Sequence, residues 1–286
     1  TLAQRLYEQG LITYHRTDSV YLSEKAITEF RDYIAKKYGE NYLSPKVRVY
    51  KNTTKNAQEA HEAIRPSRVG VVEPEGLDSK ELKLYQLIWK RAVATQAAAA
   101  RIESNSVDLT NNKALFRANG LRVIFDGFYL ISGEKHEDQL LPELIVGQKI
   151  KAKKINIEET ETSSMPRYSD ASLVGSLEKQ GIGRPSTYAP IISTIIARQY
   201  VEREEGRFKP TSLGMAVNEF LTKNFSKILS LPFTAEMETD LDQVALGKVD
   251  WKQMMKDFWK SFEVDLKSVE EKAERVRVEV EKTGEK

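Results

Sequence analysis

The hydrophobic period of this chain changes twice, near residues 99 and 165, and that change limits the fold more than any other feature. Up to about residue 98, apolar residues recur three or four apart, as on helices that face a core. Between about 99 and 165, stretches rich in Ile, Val, Phe and Tyr are broken by Asn111-Asn112, Gly120, Ser132-Gly133 and Gly147. These read as strands over 102–109, 113–118, 121–131 and 144–159. From 166 to 286 the helical period returns. The expected architecture is a multi-domain α and β chain. A mainly helical part over 1–98 and a helical, winged-helix-like part over 166–286 are joined by a small antiparallel β segment over 99–165.

Local signals mark the elements. Leu2, Leu6 and Tyr7 open a short helix that stops at Gly10. Ser23 caps a second helix that buries Ile27, Phe30 and Ile34 and ends at Gly39. Lys46 to Tyr50 alternates like a short strand. Asp78-Ser79-Lys80-Glu81 has the form of a capping box, and the helix behind it turns Leu84, Leu87, Ile88, Ala92 and Val93 inward. Ser169 or Asp170 caps a helix ending at Gly181. Ile191, Ile192, Ile195 and Ile196 mark the next, and Glu205-Gly206 closes a hairpin. Helix, glycine turn, helix and hairpin is the order of a winged helix-turn-helix. Three further amphipathic helices follow. The stripes Met237, Leu241, Val244 and Trp251, Met255, Phe258, Trp259, Phe262 read as core rather than as a cofactor box. Asp240 and Asp242 read as a helix face, His136 as solvated loop, and Lys267–Lys286 as a frayed or linking helix.

Three stretches carry chemistry. In Thr13-Tyr14-His15-Arg16-Thr17-Asp18-Ser19 a phenol stands two residues before an arginine. A phenol, with a pKa of about 10, attacks a phosphodiester only with help from a base or a cation. Arg16 keeps its charge and offers a fork that fits two phosphate oxygens. The same pattern also suits a half-buried strand tyrosine beside a surface charge. In Asn56–Ser67, His61 stands with Glu59, Glu62 and Arg65 in a polar run ending at Pro66, which suits either a structural histidine or a reacting one. In Gly181-Ile182-Gly183-Arg184-Pro185-Ser186-Thr187-Tyr188, glycines, an arginine and two hydroxyls meet at a helix N-terminus, where anions bind. Arg198 lies at the end of that helix.

Composition narrows the class. With 40% hydrophobic residues, 30% charged residues and a net charge of +2, the 286-residue chain has material for real cores and is no basic tail. No cysteine is present, so disulfides, thiol nucleophiles and cysteine zinc sites are excluded. No apolar run approaches a membrane span of about 20 residues. No secretory signal is visible, and a cytoplasmic protein is expected. Thr1 opens directly into a helical pattern, which reads as a piece of a longer protein.

The three stretches, in this order and together with Phe233-Thr234-Ala235-Glu236-Met237-Glu238, resemble bacterial DNA topoisomerases of the type IA class. The resemblance implies that Tyr14 is the nucleophile, forming a phosphotyrosine link to a DNA 5′ end and leaving a 3′ hydroxyl. Arg16 would stabilise the phosphate and His61 support the site. Arg184, Ser186, Thr187, Arg198 and Arg65 would contact DNA, with single strands preferred. Religation would need no ATP, and strand passage would relax negative supercoils. The family fold is a ring with a DNA-sized hole. Residues 1–98 would be most of the gate, 99–165 part of the β arch that hinges it, and 166–286 the base with a single-strand groove. A monomer with no membrane partner is expected. Mg²⁺ would be held by a toprim domain ahead of this chain, which itself carries no metal ligands. The family's zinc modules are missing as well. The chain would then bind single-stranded DNA weakly, leave plasmid unrelaxed and expose Tyr14. Where family members often carry Met or Pro, this chain has His15, which resembles the topoisomerase half of reverse gyrase and leaves such a module as an alternative reading. A non-enzymatic winged-helix DNA-binding protein would explain 166–286 but leave the first two stretches idle. A tyrosine recombinase would need more arginines and histidines near the tyrosine and would attach to the 3′ side.

Overall fold

The structure, a computed structural model, describes residues 2–51, 61–162 and 164–272. Asn56 to Ala60 of the second stretch, and the tail from Ala273 onward, lie outside them. The described residues form two compact units, one ending at Thr160 and one beginning at Glu161. Each mixes helices with one two-stranded antiparallel sheet.

The first unit holds α1 (Leu2–Glu8), α2 (Glu24–Tyr38), α3 (Ser79–Ala94), β1 (Arg101–Asn111), β2 (Ala114–Phe125) and α4 (Phe128–Ser132). Ser23 Oγ accepts the Ala26 amide to start α2, and Gly39 ends it. The capping box at α3 is complete: Asp78 accepts from Lys80 and Glu81, and Glu81 reaches back to the Asp78 amide. Leu6, Ile12, Leu22, Phe30, Ile34, Tyr85, Trp89 and Val93 form the core. The buried stripe of α3 runs through Glu81, Tyr85, Trp89, Ala92 and Val93. Leu87, expected inward, is 64% exposed, while Leu84 and Ile88 sit at the core's edge. The two large rings set the rotation of this helix. Tyr85 Oη donates to the Val71 carbonyl and Trp89 Nε1 to the Val69 carbonyl, so both can be buried with their polar atoms satisfied.

Three strand expectations change. Lys46–Tyr50 is extended but pairs with no strand. The fully buried side chain of Gln96 replaces one, accepting from the Arg48 amide and donating to the Arg48 carbonyl. The stretches 113–118 and 121–131 become one strand, β2, followed by the helix α4. Gly120 does not turn the chain. It lets the Leu121–Gln139 bridge cross closely, since a Cβ there would stand 3.0 Å from the Gln139 carbonyl and closer still to Asn105. The hairpin reverses at Asn112-Lys113, with Asn112 at φ 52°. No strand forms over 144–159.

The second unit holds α5 (Asp170–Lys179), α6 (Tyr188–Ala197), β3 (Val201–Glu204), β4 (Arg207–Pro210), α7 (Ser212–Asn224), α8 (Leu231–Ala245) and α9 (Trp251–Lys272). Ser169 is the cap of α5. The expected order of helix, glycine turn, helix and hairpin is present. Among its described residues the buried apolar ones are few: Ile182, Ile192 and Phe208. On α9, Phe258 and Phe262 stack at 5.6 Å and meet Phe233 and Phe225, but Trp251, Met255 and Trp259 remain exposed. The stripe therefore lies only partly in a core.

Candidate active site and nucleic-acid contacts

Two distant pieces of chain make the site around Tyr14. Ile12 and Leu22 are buried and anchor the ends of the loop, so residues 14–18 bow outward between them. Residues 61–67 lie alongside. The Thr13 amide donates to the Arg65 carbonyl at 2.9 Å, and the Ser67 amide to the Leu11 carbonyl at 2.9 Å. Thr13 Oγ1 donates to the Ala63 carbonyl at 2.8 Å and accepts the Arg65 amide at 2.9 Å. Further along, the Ala63 amide donates to the Tyr21 carbonyl, and Glu62 accepts the Ser23 amide at 2.7 Å. Thr13 thus adds two side-chain hydrogen bonds to the backbone pairing that ties the tyrosine loop to the histidine segment.

This lacing brings four rings together. The Tyr14 ring lies 5.3 Å from Tyr7, 5.4 Å from His15 and 5.2 Å from His61. Edge and tilted contacts at these distances are favourable and hold the phenol without covering it. Tyr14 is 37% exposed. Arg16 is exposed and enters no ion pair among the described residues, so its guanidinium is free to meet an anion. His15 Nδ1 is buried without a hydrogen-bond partner. Burial, and then the neighbouring Arg16 charge, lower the His15 pKa and favour its neutral form.

His61 touches Tyr14 through its ring. Arg65, by contrast, is already engaged: Nη2 donates to Glu62 Oε2 at 2.6 Å and Nη1 to the Pro66 carbonyl at 3.1 Å. Its side chain is 14% exposed, and its buried Nε finds no partner. Burial would raise the Glu62 pKa. The hydrogen bonds from Ser23 and Arg65 outweigh it and lower it instead. Arg65 therefore braces the segment that presents His61.

The second unit places the remaining residues around one glycine turn. Ser186 and Thr187 are exposed at the N-terminus of α6, and Arg198 is exposed at its other end. Thr187 Oγ1 accepts the Arg184 amide at 2.8 Å, closing the turn. Arg184 does not stand free. It meets Asp242 Oδ2 at 2.8 Å and Glu238 Oε2 at 3.3 Å. Glu238 also accepts the Gly183 amide at 3.0 Å. Glu238 and Asp242, four apart on α8, hold the turn in shape; their helical spacing was the sequence signal for this, but nothing local pointed to Arg184. Tyr7, Thr13 and Glu62 were likewise not singled out for their roles here.

Among the described residues no group of three or more His, Asp or Glu side chains is placed to hold a metal ion. No helix of the described residues is long and apolar enough to cross a membrane.

A phenol held in an open ring cluster with an unpaired arginine two residues on defines a tyrosine site suited to phosphoryl transfer. Residues 1–256 match the DNA topoisomerase family model, and the chain belongs to that family. It is 43% identical to DNA topoisomerase 1 of Rickettsia bellii over 94% of this chain and 36% of that protein. Against DNA topoisomerase 1 of Helicobacter pylori strain 26695 the identity is 43%, over 92% of this chain and 37% of that one. The full-length topoisomerase I of Thermotoga maritima superposes with a TM-score of 0.78 at 37% identity, over 92% of this chain and 45% of that chain. The chain thus spans little more than a third of the length of these curated relatives.

Proposed function

We propose that this chain carries the nucleophile and part of the DNA-binding surface of an ATP-independent type IA topoisomerase. The observation that carries the reading is the exposed Tyr14 in its ring cluster beside the unpaired Arg16. Tyr14 Oη attacks a backbone phosphorus, the phenol gives up its proton, and the P–O3′ bond breaks. The 3′ oxygen takes a proton and leaves as a hydroxyl, while the 5′ phosphate stays on Tyr14. Arg16 offsets the charge that builds on the non-bridging oxygens. His61 orients the phenol through ring contact. Because one phosphoester replaces another, the reverse attack by the 3′ hydroxyl reseals the strand without a nucleotide cofactor.

Residues 1–98 would act as the moving gate, 99–165 as part of its β hinge, and 166–286 as a groove for single-stranded DNA. In that groove Ser186, Thr187 and Arg198 contact the strand directly. Arg184 acts mainly by shaping the turn, since Glu238 and Asp242 already neutralise it. Arg65 acts in the same indirect way beside His61. The working form would be a cytoplasmic monomer that relaxes negative supercoils.

The test is a single-stranded oligonucleotide labelled at its 3′ end, incubated with the protein and Mg²⁺ and then denatured. Label is expected to migrate with the parent protein and not with Tyr14→Phe. Label carried by that variant, or carried from a 5′-labelled strand instead, would refute the reading.

A further inference from the structure

The first unit contains a cleft of about 390 Å³ that lies away from Tyr14. Its walls are the C-terminal end of α3, the extended stretch at Arg48–Tyr50 and α4 with the loop after it. Arg48, Lys90 and Arg91 line it, with Tyr50 and Phe128 between them and Glu134 as the one carboxylate. None of the three cations enters an ion pair among the described residues, whereas Glu134 already lies 3.8 Å from His136.

These charges are held in place. Arg48 Nε donates to Oγ of the buried Ser44 at 3.2 Å, which leaves the outer edge of the guanidinium to the cleft. Gln96, fully buried, clamps both backbone groups of Arg48, and Tyr50 Oη donates to the Thr95 carbonyl at 3.4 Å. Lys90 extends its amine over Gly133, where an added Cβ would stand 3.1 Å from Nζ. Leu87, Lys90 and Arg91 lie on the face of α3 that the core does not use, which accounts for the exposure of Leu87, while the core residue Ala94 closes the inner end of the cleft.

Three gathered cations repel one another, so their cleft favours an anion, and the flanking rings suit a ligand with flat groups beside its charges. Glu81, at the other end of α3, receives Arg5 from α1, the helix that carries Tyr7 against Tyr14. Lys90 and Arg91 are nine and ten residues further along α3, about 14 Å by the helical rise. We infer that this cleft is a second binding site for nucleic-acid phosphodiester, separate from the strand that Tyr14 attacks. The inference rests on the DNA-acting reading above.

Binding of a fluorescent oligo-dT strand, followed by anisotropy over a range of salt concentrations, tests it. Each phosphate contact to a single strand contributes about 0.7 to the slope of log K against log[salt]. Replacing Arg48, Lys90 and Arg91 together by Ala should make the slope shallower by about 2 and weaken binding on the order of 10- to 100-fold at 0.1 M salt. The charge-keeping changes Arg48→Lys and Arg91→Lys should leave the slope within about 0.7 of the parent. A triple variant that melts like the parent and binds with the same slope would overturn the cleft while leaving Tyr14 chemistry intact. Displacement of the strand by millimolar inorganic phosphate at constant ionic strength would make this a small-phosphate site and overturn it too. No binding by the parent would remove both this site and the DNA-acting reading.

Discussion

Replacing Thr13 by Val tests how much one side chain contributes to holding the tyrosine and histidine segments together. Valine keeps the shape and removes both hydroxyl hydrogen bonds, the donation to the Ala63 carbonyl and the acceptance from the Arg65 amide. Each such bond contributes about 1 kcal/mol net, and a stranded partner costs more where water cannot reach it. Thr13 is half-buried, so water reaches part of the gap, and a local loss of about 2 kcal/mol is expected. That corresponds to about a 30-fold rise in the opening of residues 61–67. Hydrogen exchange read by mass spectrometry on a peptide covering 61–67 measures it directly. The Arg65 amide should lose its protection. The Ala63 and Ser67 amides, whose acceptors are the Tyr21 and Leu11 carbonyls, should exchange faster with it. Thr13→Ser keeps both bonds and should restore the parent rates. Exchange in Thr13→Val within about twofold of the parent, or a serine variant that behaves like valine, would show that the backbone pairing suffices and that the hydroxyl is incidental.

Acid should loosen the same segment through Glu62. Its folded pKa is lowered, so its stabilisation is fully present above the ordinary value of about 4.3 and is lost as pH falls through the folded value. Glu62→Gln should cost about 1–2 kcal/mol at pH 7 and flatten the acid side of a plot of melting temperature against pH; parallel acid limbs for the two proteins would contradict this. Gly127, between β2 and α4, sits at φ 52° and ψ −124°, and a Cβ there would stand 2.6 Å from the Ala100 nitrogen. Gly127→Ala should therefore destabilise the first unit by about 2–3 kcal/mol in denaturant melts, and an unchanged midpoint would mean the backbone can shift freely there.

What could be read from the sequence was what a few neighbouring residues decide together. Ser23, Asp78 with Glu81, and Ser169 start their helices because a cap needs only a side chain and amides two or three residues on. The hairpin at Glu205-Gly206 follows the same short-range rules. Residue types also suggested phosphoryl-transfer chemistry at Tyr14 and Arg16, because pKa and charge are properties of the side chains themselves.

The tertiary structure decided everything that depends on partners far along the chain. Tyr14 and His61 are 47 residues apart, and the pairing of residues 11–23 with 61–67 brings their rings to 5.2 Å. Arg184 looked free for a phosphate until α8, more than fifty residues later, supplied Glu238 and Asp242. Lys46–Tyr50 alternates as a strand does, yet the partner for its backbone is the amide of Gln96. Alternation reports which side chains want burial and says nothing of what satisfies the backbone. Helical periodicity likewise offered Leu87 and the tryptophans of α9 to a core. Whether a stripe is covered depends on the width of the surface that meets it, and that is set by the folded neighbours, not by the helix's own residues.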